Sequence, residues 1–204
     1  MPTKRRRGLF IVFEGIDGSG KTTQGRALLR RLRRRGREAV FLREPTRGTW
    51  GRAIKRMAAR AGSLTPEQEL ELFVKDRREN VAKNIKPALA AGKVVVLDRY
   101  YYSTIAYQGS KGIDRGRIRR MNEAFAVKPD LVVILDVDAA VGLARIGGRK
   151  SRDELFERED YLVRVARLFA GFNGPRIVHI DGRGNKRGIG RAIWAHVLPL
   201  ISKH

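Results

Sequence analysis

The sequence predicts an α/β domain built on a five-stranded parallel sheet with helices on both faces. Two observations carry this. Short apolar runs occur at residues 9–13, 39–42, 94–97, 131–135 and 176–180, rich in β-branched residues and nearly continuous rather than alternating. Strands buried on both faces read this way, and parallel sheets bury both faces. The segments between the runs carry helical periodicity, so strand and helix alternate as parallel crossovers demand.

The elements follow in order. Residues 1–8, MPTKRRRG, form a basic tail. The apolar stretch behind it is too short for a secretory signal and lacks a small-residue cleavage site. LFIVF (9–13) is the first strand, and the segment 22–35 sets Ala27, Leu28 and Leu32 on one helical face against arginines on the other. AVFL (39–42) is the second strand. Residues 65–91 open with Thr65-Pro66-Glu67-Gln68, a capping box with proline at the first helical position, and read as one long helix. VVVL (94–97), a helix over 114–126, LVVIL (131–135), helices over 138–146 and 153–170, RIVHI (176–180) and a helix over 186–197 complete the chain. No internal repeat and no Pro- or Ser-rich linker interrupts residues 9–204, which are expected to form a single domain.

Composition bounds the function. A chain of 204 residues can bury a substantial core, and 42% hydrophobic with 32% charged residues suits a soluble protein. No apolar run approaches the roughly 18 residues of a membrane span. Cysteine is absent, which excludes disulfides and thiolate metal sites and makes a cytoplasmic location the default. Forty-four basic residues against 21 acidic ones give a formal net charge of +23, an attraction for nucleotides and other polyanions. Zinc-finger ligands and an RNP-type aromatic strand are both missing, so nucleic acid is not the expected partner.

Directly after the first strand stands Gly15-Ile16-Asp17-Gly18-Ser19-Gly20-Lys21-Thr22, which opens a helix and fits G-x-x-x-x-G-K-[ST]. Glycines let backbone N–H groups turn inward around phosphate oxygens, where the helix N-terminus adds its partial positive charge. Lys21 is expected to reach the β- and γ-phosphates of ATP and Thr22 a magnesium ion. The third strand ends at Asp98, where a P-loop NTPase-type sheet sets a carboxylate near that ion. No Asn-Lys-x-Asp guanine reader follows any strand, since Asn185-Lys186-Arg187-Gly188 lacks the Asp, and the chain is short for a mechanical ATPase. A small kinase remains, and it needs an acceptor pocket and arginines to close over the transferred group.

The residues that answer this need are FEGIDGSGKTTQ (13–24), REP (43–45), LFVKDRRE (72–79), DRYYYSTIAYQG (98–109) and KPDLVVILDV (128–137). Five motifs in this order resemble the thymidylate kinase family of P-loop nucleoside monophosphate kinases, from Leu9 to about Phe169. The resemblance implies transfer of the γ-phosphoryl of ATP to dTMP, with Mg²⁺ as cofactor and a homodimer as assembly. It implies that Arg43 and Arg99 hold the acceptor phosphate, Phe73 stacks on the thymine, Arg77 donates to its O4, and Asp17 accepts from the sugar 3′-hydroxyl. Thr104 and Gln108 would line the base pocket, and Tyr107 would crowd the 2′ position. Residues 145–158, RIGGRKSRDELFER, resemble the family's lid. Some members carry an arginine inside the P-loop where this chain has Gly18, so Arg149 or Arg152 of the lid would supply the missing charge beside Lys21 and Arg99.

The residues themselves agree with this in part. Phe73 and Arg77 are four apart on a helix and share a face, and an aromatic plane beside a guanidinium suits a flat base with carbonyl acceptors. A phosphomonoester is largely dianionic near neutrality, so phosphorylating it needs no general base. Of the clustered tyrosines, Tyr100 is expected behind Arg99, and at least one of Tyr101 and Tyr102 in the core or on a dimer surface.

One stretch departs from the family. Thr46-Arg47-Gly48-Thr49-Trp50-Gly51 stands where Gly-Gly-Thr is usual, bringing bulk and charge near the acceptor side. Another deoxynucleotide therefore stays open as acceptor. So does a deoxynucleoside, for which Glu14 or Asp98 would act as base. A basic P-loop nucleic-acid-binding protein is the alternative of a different class.

Overall fold

The computed structural model describes residues 7–58, 64–147 and 152–203, with the backbone alone for residues 58, 152–158 and 203. All five expected strands form: β1 (Phe10–Glu14), β2 (Ala39–Arg43), β3 (Val94–Asp98), β4 (Leu131–Asp136) and β5 (Ile177–Asp181). They pair in parallel in the order β2-β3-β1-β4-β5. β1 occupies the centre and alternates strictly. Phe10 and Val12 face one core layer, while Leu9, Ile11 and Phe13 face the other. This is why its sequence is continuously apolar.

Helices cover both faces. On one face lie α1 (Lys21–Arg34) and, last in the chain, α9 (Lys186–Lys203), meeting the sheet through Leu28, Leu32, Ile193, Trp194 and Val197. The other carries α3 (Pro66–Asn80), α5 (Tyr101–Gly109), α6 (Arg115–Glu123) and α8 (Arg152–Ala170), through Leu70, Val74, Ile105, Ile118, Val165 and Phe169. Two further elements, α2 (Thr49–Ala58) and α7 (Ala139–Ile146), flank the carboxyl ends of the strands. The expected long helix 65–91 begins with its capping box, Gln68 N donating to Thr65 Oγ1 and Thr65 N to Gln68 Oε1. It does not run through as a regular α-helix: α3 passes through a π-helical turn at Val81–Ile85 into α4 (Lys86–Ala90). α9 passes Pro199 to end at Lys203, beyond the expected 197.

The strand order creates the site. The chain leaves β1 toward β2 and later crosses from β3 to β4 over the β1 position, so connections diverge at the carboxyl ends of β1 and β3, where open α/β sheets bind ligands. Register aligns those ends: Asp98 pairs with Phe13 on one side and Arg43 on the other, with Glu14 one residue further along β1.

Candidate active site

Two clefts open at this edge. The first, about 610 Å³, is lined by the P-loop from Asp17 to Gln24, and by Asp98, Arg99, Arg145 and the segment after β5 at Gly182, Gly184, Asn185 and Lys186. The second, about 410 Å³, contains every acceptor-side residue named from sequence: Asp17, Arg43, Phe73, Arg77, Arg99, Thr104, Tyr107 and Gln108. Asp17, Arg43 and Arg99 line both clefts. The two spaces therefore meet at one acidic and two cationic side chains.

The P-loop takes its shape from glycine. Gly18 sits at φ +77°, and a Cβ there would lie 2.1 Å from the Gly142 carbonyl oxygen of α7. Lys21 folds back over the loop, donating to the Ile16 carbonyl at 2.6 Å and Ser19 Oγ at 3.3 Å. Burial, with the neighbouring Arg99 charge, pulls its pKa down to about 7. Thr22 Oγ1 donates to Asp98 Oδ2, while Asp98 Oδ1 is buried with no partner among the described residues. A hydroxyl beside an orphaned carboxylate oxygen is a donor set that fits magnesium, which takes few protein ligands and keeps waters and phosphate oxygens. Arg43 Nε stands 3.8 Å from Asp98 Oδ2.

Arg99 joins the two clefts. Its backbone lies in the left-handed region at φ +72°, a conformation that costs a non-glycine residue about 1 kcal/mol or more. Arg99 Nη2 donates to Asp17 Oδ1 at 2.6 Å and Nη1 to Ser103 Oγ at 2.9 Å, and the guanidinium lies 5.1 Å over the Tyr107 ring. The Tyr107 hydroxyl accepts from Asp17 N at 3.0 Å. Burial pushes Asp17 toward its neutral form, but Arg99 and Lys21 outweigh it and hold the carboxyl below its ordinary value. Arg99 likewise ends above its ordinary value despite burial, through Tyr107 and Asp17.

Arg77 lies at the far end of the second cleft and is fully buried. Nε donates to Glu44 Oε2 at 2.8 Å, Nη1 to Asn122 Oδ1 at 2.6 Å and Nη2 to Thr104 Oγ1 at 3.0 Å. Asn80 Nδ2 donates to the other Glu44 oxygen at 3.0 Å. Burial raises the Glu44 pKa, and Arg77 opposes the rise. A guanidinium carries five N–H donors, so two remain after these three bonds.

Not every expectation about the aromatic cluster holds. Tyr100 backs Arg77, 5.3 Å from its guanidinium, rather than Arg99, whose ring partner is Tyr107. Tyr101 and Tyr102 are both buried and stack at 4.5 Å between ring centroids, with Tyr102 edge-on to Phe172. They are core. The departing segment is also tamer than its sequence suggests. Asp76 accepts from Thr46 N at 2.8 Å and from Thr46 Oγ1 at 2.6 Å, and neither Arg47 nor Trp50 lines the second cleft. Glu14 is fully buried, receives Tyr100 N, Ser103 N and Ser103 Oγ, and lines neither cleft, so it has no access as a base. Arg149 and the side chain of Arg152 lie outside the described residues.

Several residues of the site escaped the sequence reading. Glu44 was visible only as the middle of REP, Arg145 only as the start of a basic segment, and Asn122 and Tyr161 carried no signal. Tyr161 of α8 lines the second cleft, its hydroxyl donating to the Tyr107 carbonyl at 3.1 Å.

A phosphate cradle at the switch point of a parallel sheet, opening onto a second pocket through two arginines, defines a P-loop protein of the phosphotransferase kind. A family model described as thymidylate kinase matches residues 13–193. Relatives named thymidylate kinase include one from Akkermansia muciniphila, 48% identical over 187 residues covering 92% of this chain and 90% of its own. Others are from Brachyspira hyodysenteriae, 41% identical over 183 residues (90% of each chain), and Xanthomonas oryzae pv. oryzae, 40% identical over 195 residues (96% of this chain, 85% of its own). The chain belongs to the thymidylate kinase family.

Proposed function

We propose that this protein transfers the γ-phosphoryl group of ATP to dTMP, yielding ADP and dTDP. The observation that carries the reading is the junction of the two clefts at Asp17, Arg43 and Arg99, which lets a donor polyphosphate and an acceptor monophosphate meet end to end. The P-loop amides and Lys21 hold the donor phosphates. Thr22 and Asp98 would hold Mg²⁺, which when bound neutralises charge on the donor phosphates. Arg43 and Arg99 hold the acceptor phosphate, and Asp17 takes the sugar 3′-hydroxyl. Tyr107 closes the 2′ side and disfavours ribose. At the base end, Phe73 supplies a stacking face, Arg77 a donor for O4 through its unused N–H groups, and Thr104 and Gln108 the edge.

The acceptor phosphate is already a nucleophile, and no proton has to be removed from it by the protein. Catalysis is therefore positioning plus charge neutralisation, with Lys21 and Arg99 at the junction and Arg149 or Arg152 brought in from a lid at about 145–158. The chain acts as one domain behind its basic tail, as a cytoplasmic homodimer. No helix among the described residues is long and apolar enough to cross a membrane. Incubating the protein with Mg·ATP and a panel of nucleoside monophosphates and nucleosides, scored by ADP release, tests the reading. The expected result is turnover with dTMP far above the rest. Turnover of nucleosides instead, or none at all, refutes it.

A further inference from the structure

We propose that Glu14 is a positioning residue for Arg99, acting through the hydroxyl of Ser103; the inference rests on the phosphotransfer reading above. Glu14 ends the central strand and is wholly buried, yet it lines neither cleft, so it touches no substrate. An unpaired buried carboxylate is costly, and this one is surrounded by donors. Tyr100 N donates to Oε1 at 2.8 Å, Ser103 N to the same oxygen at 3.2 Å, and Ser103 Oγ to Oε2 at 2.5 Å. These groups form the first turn of α5. Tyr100, at its N-cap position, has no side-chain cap of its own, so a carboxylate from β1 caps the helix across the fold.

The consequence falls on Arg99. A serine hydroxyl has one proton, and committing it to Glu14 leaves only lone pairs facing outward. Arg99 Nη1 donates to that oxygen at 2.9 Å, while Nη2 is held on the opposite side by Asp17 Oδ1 at 2.6 Å. Arg99 N donates to the Phe13 carbonyl at 2.9 Å, one residue before Glu14. Residues 13 and 14 thus fix the backbone on either side of a left-handed arginine, and Glu14 also sets the acceptor that aims its guanidinium. Without Glu14 the Ser103 hydroxyl loses the partner that fixes its rotation, and the lone pair it presents to Arg99 is no longer held in place.

A double-mutant cycle on kcat tests this, with Tm recorded for each variant. Ser103→Ala is expected to lower kcat roughly 10- to 100-fold, the scale of a small misplacement of a catalytic group, with KM for ATP nearly unchanged. In an Arg99→Met background, followed with γ-labelled ATP, the same substitution is expected to change kcat less than about twofold, because the group being aimed is gone. A role confined to holding α5 would lower Tm and kcat by the same factors in both backgrounds, and that result overturns the proposal, as does an unchanged kcat in Ser103→Ala. Glu14→Gln, or Glu14→Asp should the first not fold, is expected to match Ser103→Ala in kcat, and a folded Glu14 variant with wild-type kcat overturns the part given to Glu14. Wild-type protein that makes no dTDP would instead bring down the functional reading, whereas active wild type with an additive cycle brings down only this inference.

Discussion

Replacing Arg77 is expected to separate base recognition from stability, because its guanidinium serves both. Among the described residues, Arg77→Met removes the only cation bonded to Glu44, whose side chain is 3% exposed and keeps just the Asn80 amide. Breaking one side of a buried ion pair costs about 3–5 kcal/mol. At the 2–4 °C per kcal/mol typical of a chain this size, Tm should fall by roughly 6–20 °C. Adding Glu44→Gln removes the stranded charge while keeping an acceptor for Asn80, so the double variant should regain most of the loss. The substrate should not return. Losing a hydrogen bond from a charged group to the base costs about 1.5–3 kcal/mol, or roughly 10- to 150-fold in dTMP affinity, with ATP affinity unaffected. The sign of the pH effect follows from Glu44. Its folded pKa is raised by burial above the ordinary 4.5, and more so once Arg77 is gone, so the folded state of Arg77→Met holds a proton that the unfolded chain has released. Its stability should therefore fall as pH rises above 4.5. Calorimetry gives Tm and titration calorimetry gives both affinities. A double variant no more stable than Arg77→Met, or an equal loss of dTMP and ATP binding, would refute this account of the pair.

Two further expectations follow. Lys21 has a folded pKa lowered to about 7 from 10.5, so the free protein carries it largely uncharged at pH 8, and donor phosphates should recharge it. ATP binding at pH 8 should then take up close to one proton, seen as a buffer-dependent calorimetric enthalpy, and the uptake should shrink toward pH 6 and vanish in Lys21→Ala together with turnover. Gly18→Ala would force a Cβ to within 2.1 Å of the Gly142 carbonyl at a left-handed backbone position, so the P-loop must shift off α7. ATP affinity and Tm should both fall, by more than the roughly 1 kcal/mol of the backbone conformation alone, whereas Gly112→Ala, equally left-handed but with open space around it, should show only that smaller loss.

What was legible in the sequence was whatever depends on local pattern. The strands announced themselves because a parallel sheet must be apolar on both faces. The P-loop did so because phosphate binding demands glycine, lysine and a hydroxyl at fixed spacing. Phe73 and Arg77 could be placed on one face because a helix repeats every 3.6 residues. α2 was not legible: it begins inside the segment read only as a departure from the family and runs on to Ala58 through residues given no reading. Nor was the break of the 65–91 helix at Val81–Ile85, since VAKNI holds neither glycine nor proline, and Pro87 beyond it stands in the first turn of α4. The aim of each tyrosine was hidden for a different reason. DRYYYST gives the direction of successive side chains only once the turn into α5 is known, and that turn is held by Glu14, 86 residues away from the first N–H it binds.

Sequence by itself determined the chemistry on offer: a phosphate cradle, a carboxylate for a metal, a set of arginines, an aromatic and a cationic side chain on one helix. Tertiary structure alone decided which of these meet. The strand order β2-β3-β1-β4-β5 and its register bring Arg43, Asp98 and Asp17 to one edge, pair Glu44 with Arg77, and leave two clefts touching at Arg99. The physical reason is that burial and pairing are long-range properties. A carboxylate's neighbours, and hence its charge state and its role, are set by which strands lie side by side, which no run of adjacent residues encodes.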